Sequence, residues 1–295
     1  MYNNSKKEVF MKSDGKFRSY ADHCFKNSDQ SVRAFLYSDY YIEPHDHDFY
    51  EMNVVFRGEG THLIEGSRLL VRTGDVFVIP PNTVHAYCDT RDLDVFHVLF
   101  RNSFVAENRE EAVGMPGFLQ LVEIEPFLRK SFSSPFFLHL SASKLSKLRD
   151  ELSLIQDGGE FDRDELEPLK NHTAWKIIYQ LSYQLFRQLE TKGDETEKYE
   201  SNIIKALEHI HQHYGEKITV DSLCKTVFLS RSTFLRNFSS ICGCTPVAYL
   251  NSYRAKKALE MIEAGGFSKT ETAHACGFYD LSHMERVLKD KKNLP

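Results

Sequence analysis

The segment from Ser230 to Gly243 constrains the fold of this chain most, because it has the pattern of a short helix with a defined start and end. Its first residue is a favourable N-cap and its last a favourable C-terminal cap. Phe234 and Phe238 recur four residues apart, which places them on one helix face. A weaker copy of the pattern spans Ser282 to Lys289. Each copy follows a tight turn, so the sequence predicts an all-α C-terminal domain with two helix-turn-helix units.

The outward faces of these two helices have the residues that reading DNA requires. A helix in a major groove needs a buried anchor, short polar residues near its start, and cations that hold phosphate or guanine. Either helix alone is equally compatible with an ordinary amphipathic surface helix. The predicted DNA contacts are Ser230, Arg231, Ser232, Leu235 and Arg236 in the first helix, and Ser282, His283, Glu285, Arg286 and Lys289 in the second.

The distribution of charge fits a regulatory domain joined to a nucleic-acid-binding one. Residues 199–295 contain 13 Lys and Arg against 10 Asp and Glu, whereas the rest of the chain contains 24 against 32. The N-terminus has no apolar stretch after its basic residues, and no apolar run is long enough to span a membrane. We therefore expect a cytoplasmic protein that does not bind membranes. The six cysteines lack zinc-type spacing, so we expect free structural thiols.

The region between Val32 and Phe100 has the pattern of an all-β barrel or sandwich. Short runs rich in Val, Ile and Phe alternate with Gly, Asn and Pro turns, including a predicted turn at Arg57–Gly60. The predicted strands are Val32–Tyr37, Glu51–Phe56, Thr61–Glu65, Arg68–Val71, Asp75–Ile79 and Val95–Phe100.

Helical periodicity replaces the β pattern further along the chain, which gives an α+β multidomain protein. We divide it into a β-barrel domain at 1–143, a helical segment at 144–190, a charged linker at 191–200 and the helical domain at 201–295. The apolar stripe of the 144–190 helices has two interpretations, a homodimer contact or an intramolecular core. Within the last domain, Asp221 is the predicted cap of the helix before the first turn.

The last hundred residues resemble the AraC/XylS family of transcription regulators. The resemblance implies a DNA-binding domain of two helix-turn-helix units joined by a long helix, with the reading helices in adjacent major grooves. The matching residues are Ser230-x-Ser232-x-Phe234-x-Arg236-x-Phe238, Gly243-x-Thr245-Pro246, Tyr249-Leu250, Arg254-x-x-x-Ala258, Ala273-x-x-x-Gly277-Phe278-x-Asp280-x-Ser282 and Arg286-x-x-Lys289.

The second unit departs from the family pattern at several core positions. Thr272 and Lys269 stand where the family usually has Ile, and Met284 and Leu288 replace the usual Phe residues. Asn293 stands at an expected Gly. We therefore predict that the second unit is less stable than the first and that most base reading lies on the first helix.

A cluster of ligand-type residues in the β region resembles a cupin, and many regulators of this family have a cupin-like N-terminal domain. His45 and His47 lie two residues apart in a strand and so face the same side, where Glu51 and His85 can join them. These residues suit a divalent Zn, Mn, Fe or Ni ion. A metal-free effector site and a purely structural role are the alternative interpretations of the same residues. Further effector-site candidates are Tyr41 and His62, followed by Glu43, Phe56, Tyr87 and His97.

The resemblance implies a non-enzymatic, effector-controlled DNA-binding activator with double-stranded DNA and RNA polymerase as partners. By analogy with sugar-responsive members, the expected effector is a carbohydrate. Two alternatives remain open from the residues. One is a metal-dependent cupin enzyme, an isomerase or dioxygenase, fused to a DNA-binding domain. The other is a constitutive regulator whose barrel is filled by its own side chains.

Overall fold

Sheet and helix occupy different parts of the chain, as the sequence predicts. The structure is a computed structural model that describes residues 11–13, 16–132, 138–190 and 195–292. Its contacts divide the chain into two units, Met1–Gln188 and Leu189–Pro295. The first unit has all of the described strands and five helices, and the second is helical throughout its described part. The predicted α+β class is therefore confirmed.

One curved sheet, called the barrel below, contains the nine strands of the described residues. The two longest strands, β5 and β8, pair antiparallel along most of their length. β5 also pairs with β6 and β7, and β8 also pairs with β3 and β4. The strands are β1 Met11–Ser13, β2 Lys16–Ser19, β3 Val32–Tyr37, β4 Ile42–His47, β5 Tyr50–Ile64, β6 Ser67–Arg72, β7 Asp75–Ile79, β8 His85–Phe100 and β9 Leu138–His139.

The predicted turn at Arg57–Gly60 is wrong, because this segment lies inside the 15-residue strand β5. The pairing register between β5 and β8 shifts here, so the strand bulges rather than turns. Gly58 has φ +77°, and a Cβ atom at this position would lie 2.3 Å from the carbonyl oxygens of Arg91 and Asp92. Glycine is therefore required by a close approach of two strands. β4 and the first half of β8 are strands that the propensity analysis did not predict.

Five helices complete the first unit. They are α1 Ala21–Cys24, α2 Asn102–Ala112, α3 Glu125–Phe132, α4 Ala142–Ile155 and α5 Glu167–Glu190. A π-helical segment, Gln120–Ile124, leads directly into α3. The sequence predicted α4 and α5 but neither α2 nor α3.

The apolar stripe of α5 is largely buried within its own unit. Trp175 stacks on Phe104 of α2 with ring centroids 4.9 Å apart, and Leu181 and Leu185 are also buried. These contacts support the intramolecular interpretation of the stripe.

The second unit contains six helices among its described residues. They are α6 Glu195–His213, α7 Val220–Thr226, α8 Arg231–Cys242, α9 Pro246–Ala264, α10 Lys269–Ala275 and α11 Leu281–Lys292. The predicted linker at 191–200 is wrong from Glu195 onward, where α6 begins, and residues 191–194 lie outside the described part. Thr219, rather than the predicted Asp221, caps α7 by accepting a hydrogen bond from the backbone of Ser222. No helix among the described residues combines the length and apolar character needed to cross a membrane.

Replacing Phe228 by glycine is expected to stabilise the protein by about 0.5–1 kcal/mol. Phe228 lies in the turn between α7 and α8, is 94% exposed, and has φ +54°, a conformation that strains residues with a Cβ atom. Urea unfolding of Phe228→Gly measures the gain. Phe228→Ala retains the Cβ atom, so an equal gain in that variant would show that backbone strain is not the cause.

Candidate functional site

Buried aromatic residues fix the orientation of α8. Phe234 and Phe238 have no exposed surface, and their ring centroids lie 5.5 Å apart. Phe238 also packs edge-on against Tyr249 of α9, with ring centroids 5.8 Å apart. Ser230 caps the helix by accepting a hydrogen bond from the backbone of Thr233, and Gly243 ends it in a left-handed conformation. The opposite face of α8 therefore points to solvent.

The predicted reading residues of α8 lie on this solvent face. Ser230, Arg231, Ser232 and Arg236 are exposed, while Leu235 is half-buried. The Arg231 guanidinium forms an ion pair with Asp221 of α7, which holds it beside the start of the helix. Arg236 forms no ion pair or hydrogen bond with the residues that the structure describes, so its guanidinium is available to another molecule.

The second predicted reading helix, α11, has a smaller anchor. Met284 is fully buried with Ala273, Cys276 and Phe278, whereas Leu288 is only partly buried. The substituted core position Thr272 is also buried, and its hydroxyl donates to the carbonyl of Ser268 over 3.0 Å. These features are consistent with the predicted lower stability of this unit.

The predicted reading residues of α11 differ in exposure. Ser282, Arg286 and Lys289 are exposed, whereas His283 and Glu285 are half-buried. The His283 ring lies edge-on to Phe278, with centroids 5.4 Å apart, which ties it to the helical core. The two cationic residues are therefore the better placed of the five for contact with DNA.

The family-motif residue Arg254 connects two helices instead of facing solvent. Its Nε atom donates to the carbonyl of Tyr214 over 2.8 Å, and Nη2 donates to that of Glu216 over 2.7 Å. Both carbonyls follow α6, so Arg254 joins α9 to the end of α6. Burial raises the pKa of the Cys244 thiol to about 12 and raises that of Cys242 further, which disfavours the reactive thiolate at both positions.

Three barrel histidines share one hydrogen-bonding arrangement. The Nδ1 atoms of His45, His47 and His85 lie 3.0, 2.7 and 3.0 Å from the carbonyl oxygens of Glu43, Phe49 and Thr83. A carbonyl oxygen only accepts, so each Nδ1 carries the proton and donates. Each Nε2 atom is thereby left to face the cluster, as in histidines that bind metals.

Glu51 lies at the centre of these rings. Its carboxylate oxygens are 2.9 Å from Nδ1 of His97, 3.3 Å from Nε2 of His47 and 4.0 Å from Nε2 of His85. Burial alone would raise the pKa of Glu51, but the close contact with His47 and the hydrogen bond from His97 hold it well below its ordinary value. Burial lowers the pKa of His45 and His85. The lowered pKa values favour the neutral imidazole at His45 and His85, so these two rings lie beside a carboxylate as uncharged groups.

The structure brings three of the four predicted metal ligands into one set. Ligand atoms of His45, Glu51 and His85 lie within 4.8 Å of one another. Two imidazole nitrogens and a carboxylate oxygen fit a divalent transition metal. The fourth, His47, contacts Glu51 and lies outside this three-residue set. The same atoms can equally bind the hydroxyl groups of an organic molecule.

The other predicted effector-site residues fall into two groups. His62 is buried and stacks between Phe77 and Tyr87, with ring centroids 4.9 and 4.7 Å away. Tyr41 is 58% exposed, and its hydroxyl donates to the carboxylate of Glu43, which is also exposed. Both of these predicted effector-site residues therefore lie on the protein surface and not with the buried histidines.

Of the weaker candidates, Phe56 is buried against Phe96 and lies under the Arg149 guanidinium of α4. Tyr87 and His97 are buried beside the histidine cluster. Asn53, which donates to the Tyr87 hydroxyl over 3.0 Å, is a residue that sequence reasoning missed. Asn53 lies two residues after Glu51 in β5 and so faces the same side of the strand, which is the signal that would have identified it.

Comparison with known proteins agrees with this architecture. The model of the AraC-like ligand binding domain matches residues 29–156, and a helix-turn-helix domain model matches residues 223–295. The chain therefore combines an AraC-like ligand binding domain with a helix-turn-helix domain. The match to the ligand-binding model covers strands β3 to β9 and helices α2 to α4, and the second match begins within α7 and covers α8 to α11.

The relatives of this chain include two activators that match it over most of their length. The HTH-type transcriptional activator RhaS of Pectobacterium carotovorum subsp. carotovorum strain PC1 is 26% identical over 241 residues, covering 81% of this chain and 80% of the relative. RhaS of Escherichia coli O81 strain ED1a is 25% identical over 250 residues, covering 84% of each chain. The solved DNA-binding domain of AdpA, in complex with a target DNA, is 26% identical and covers 30% of this chain and 81% of its own, with a TM-score of 0.30. A score that low carries no conclusion about shape.

Proposed function

We propose that this protein is a sequence-specific transcription activator whose DNA binding is controlled by a small molecule in the barrel. The observation that supports this most is the pairing of two solvent-facing reading helices with a barrel interior rich in unpartnered polar atoms. The activator relatives support the direction of control. RNA polymerase as a partner, a homodimer and a cytoplasmic location complete the proposal, and sedimentation analysis of the full chain tests the dimer.

The α8 and α11 helices divide the work of DNA binding in this proposal. Ser232 and Arg236 approach base edges near the start of α8, where Arg can pair with guanine in a bidentate manner. Arg286 has the corresponding position in α11. Lys289 lies one turn further along and binds phosphate, which positions the helix without reading sequence.

Replacing Lys289 by alanine is expected to weaken binding to specific and random DNA equally and to reduce the slope of log affinity against log salt by about 1. The physical reason is that one fewer phosphate charge is neutralised. Titrations of labelled duplexes at several salt concentrations measure the slope. Lys147→Ala, which removes an exposed cation from the first unit, serves as the control. An unchanged slope in Lys289→Ala would remove this residue from the interface.

A carbohydrate is the proposed effector because its hydroxyl groups both donate and accept hydrogen bonds. The barrel has unpartnered buried polar atoms on Asn53, His62, His85 and His97. Buried polar groups without partners cost free energy, so a ligand that supplies partners binds favourably.

A thermal-shift screen of sugars against the full chain tests this effector. A ligand that binds only the folded protein raises its melting temperature, by an amount that grows with concentration relative to Kd. Failure of every sugar, with a response to another metabolite class, would exclude the carbohydrate while leaving effector control in place.

A metal-dependent barrel is the second candidate, and the convergence of His45, Glu51 and His85 favours it. When bound, a divalent metal would act as a Lewis acid toward a coordinated oxygen. Metal analysis of the purified protein distinguishes the two candidates. Stoichiometric metal that disappears in His85→Ala would support a metal centre and the enzyme interpretation, while metal-free protein that binds a sugar would exclude both. The alternative of a constitutive regulator without an effector predicts that the protein's own side chains fill the barrel and that its buried polar groups bond to one another.

A further inference from the structure

The helix α3 places an ion pair against the barrel strand β7. Among the described residues, β9 pairs with β7 only at Asp75 and Val76. Beyond that point Arg129 approaches the strand, and its Nη2 atom donates to the carbonyl of Val78. Its Nε atom donates to Glu125 one helical turn earlier, over 2.8 Å. The side chains of both charged residues are at most 2% exposed.

The Arg129 side of this ion pair lies near the histidine cluster of the barrel. The Arg129 guanidinium carbon lies 5.2 Å from the centroid of the Phe77 ring, and the His62 ring stacks on Phe77 at 4.9 Å. His62 in turn lies 5.9 Å from the ring of His85. A chain of ring contacts thus joins Arg129 to the histidine cluster.

Each partner of the ion pair retains one buried polar atom without a partner. Among the described residues these atoms are Nη1 of Arg129, which can only donate, and Oε2 of Glu125. An ion pair that served only to close the sheet edge would be expected to use its buried donors and acceptors internally, because unpaired ones are costly. One unused donor and one unused carboxylate oxygen match a hydroxyl group, which both accepts and donates.

The charges of the interior indicate the class of ligand. Among the described residues, Glu51 in the barrel and Glu125 in the ion pair are two buried carboxylates, against one buried guanidinium, Arg129. An anionic ligand would add a third negative charge in a region of low dielectric, whereas a neutral one adds none. The other buried charged groups of this unit are engaged elsewhere, in the pairs Asp75–His139, Glu123–Arg109 and Lys170–Asp162.

We propose that Glu125 and Arg129 form an anchoring subsite for the effector and that this subsite selects an uncharged polyhydroxy compound over an anionic one. The proposal rests on effector binding in the barrel and specifies where one end of the ligand is held. Arg129 donates to a ligand hydroxyl through Nη1, and Glu125 accepts from a hydroxyl through Oε2. The histidines and Asn53 remain for the other hydroxyls.

Calorimetric titration of the full chain with matched sugars tests the proposal. The probes are aldopentoses, aldohexoses and 6-deoxyaldohexoses, each hexose paired with its uronate. We expect an uncharged sugar to bind and its uronate to bind roughly 10- to 100-fold more weakly, because one buried charge interaction separates them. Tighter binding of the uronate would overturn the proposal. Failure of both arms would overturn the subsite and the carbohydrate class, while operator binding would still show a DNA-binding regulator.

Variants distinguish a ligand subsite from a structural ion pair. Arg129→Lys retains the charge but places all of its donors on one nitrogen, so it cannot reach Glu125, the Val78 carbonyl and a ligand from three separate positions, and it should weaken sugar binding by roughly 10-fold or more. Glu125→Gln removes one negative charge at nearly constant shape. It should therefore strengthen uronate binding relative to sugar binding, which lowers the ratio of the uronate Kd to the sugar Kd. A change in stability alone would not move that ratio.

Glu123→Gln is the matched control, because Glu123 lies two residues before Glu125 and its carboxylate pairs instead with Arg109 of α2, at 2.8 Å from the Nη2 atom. It should leave the ratio unchanged. Sugar binding that is equal in the wild type, Glu125→Gln and Arg129→Lys would overturn the subsite while leaving effector control intact. Melting temperatures and operator binding establish that each variant is folded.

Discussion

Phe238→Ala is expected to lower the free energy of unfolding of the helical unit by about 3–5 kcal/mol. The Phe238 side chain has no exposed surface and contacts Phe234 of its own helix and Tyr249 of α9. Its removal leaves a cavity between α8 and α9, which the surrounding side chains can fill only in part. Urea unfolding of the full chain by circular dichroism measures the loss, and hydrogen exchange in α8 assigns it to this unit.

The control for this prediction is Phe228→Ala, which deletes the same group from a position that is 94% exposed. A surface substitution of this kind changes stability by at most about 0.5 kcal/mol. Because α8 is held by its aromatic anchors, Phe238→Ala should also abolish operator binding at temperatures where the control still binds. Equal stability of the two variants would show that the aromatic anchors do not hold α8.

Arg236→Ala is expected to weaken binding to the specific operator by about 1–3 kcal/mol. Arg236 is exposed on α8 and makes no ion pair with the described residues, so its substitution removes a contact with DNA and no described contact within the protein. Affinity for random DNA should fall much less, so the ratio of specific to random binding decreases. Competition titrations at fixed salt measure both affinities.

Arg286→Ala is the matched comparison, since Arg286 has the corresponding exposed position in α11. We expect a smaller loss of specificity there, because the anchor of α11 is Met284 with a partly buried Leu288 in place of two buried rings. A larger loss in Arg286→Ala would move the main reading role to the second helix. Unchanged affinity in both variants would exclude these faces as the DNA interface.

The helical unit was largely predictable because its signals are local. Capping residues and the spacing of Phe234 and Phe238 located α8, which begins directly after the cap Ser230, and Pro246 located the start of α9. The linker prediction failed at Glu195 because charged residues were interpreted as loop. Glu and Lys are good helix formers, and here they extend a helix whose apolar stripe begins at Ile203.

The barrel was predictable in class but not in detail, because strand bounds depend on pairing partners. Gly58 and Gly60 resemble turn residues in the sequence, yet both lie in a bulged strand that another strand crosses closely. The spacing of His45 and His47 on one strand correctly predicted a common face. Arg129 gave no signal, because its importance arises from β7, which lies some fifty residues earlier in the chain.

Selection of binding sites from a random duplex library with the full chain tests the central claim most directly. Two reading helices in adjacent major grooves predict an enriched site with two recognition elements about one helical turn apart, roughly 10–10.5 base pairs. Arg236→Ala should erase the preference in one element and leave the other. Recovery of no sequence above background at physiological salt, from protein shown to be folded, would contradict the claim that this chain is a sequence-specific regulator.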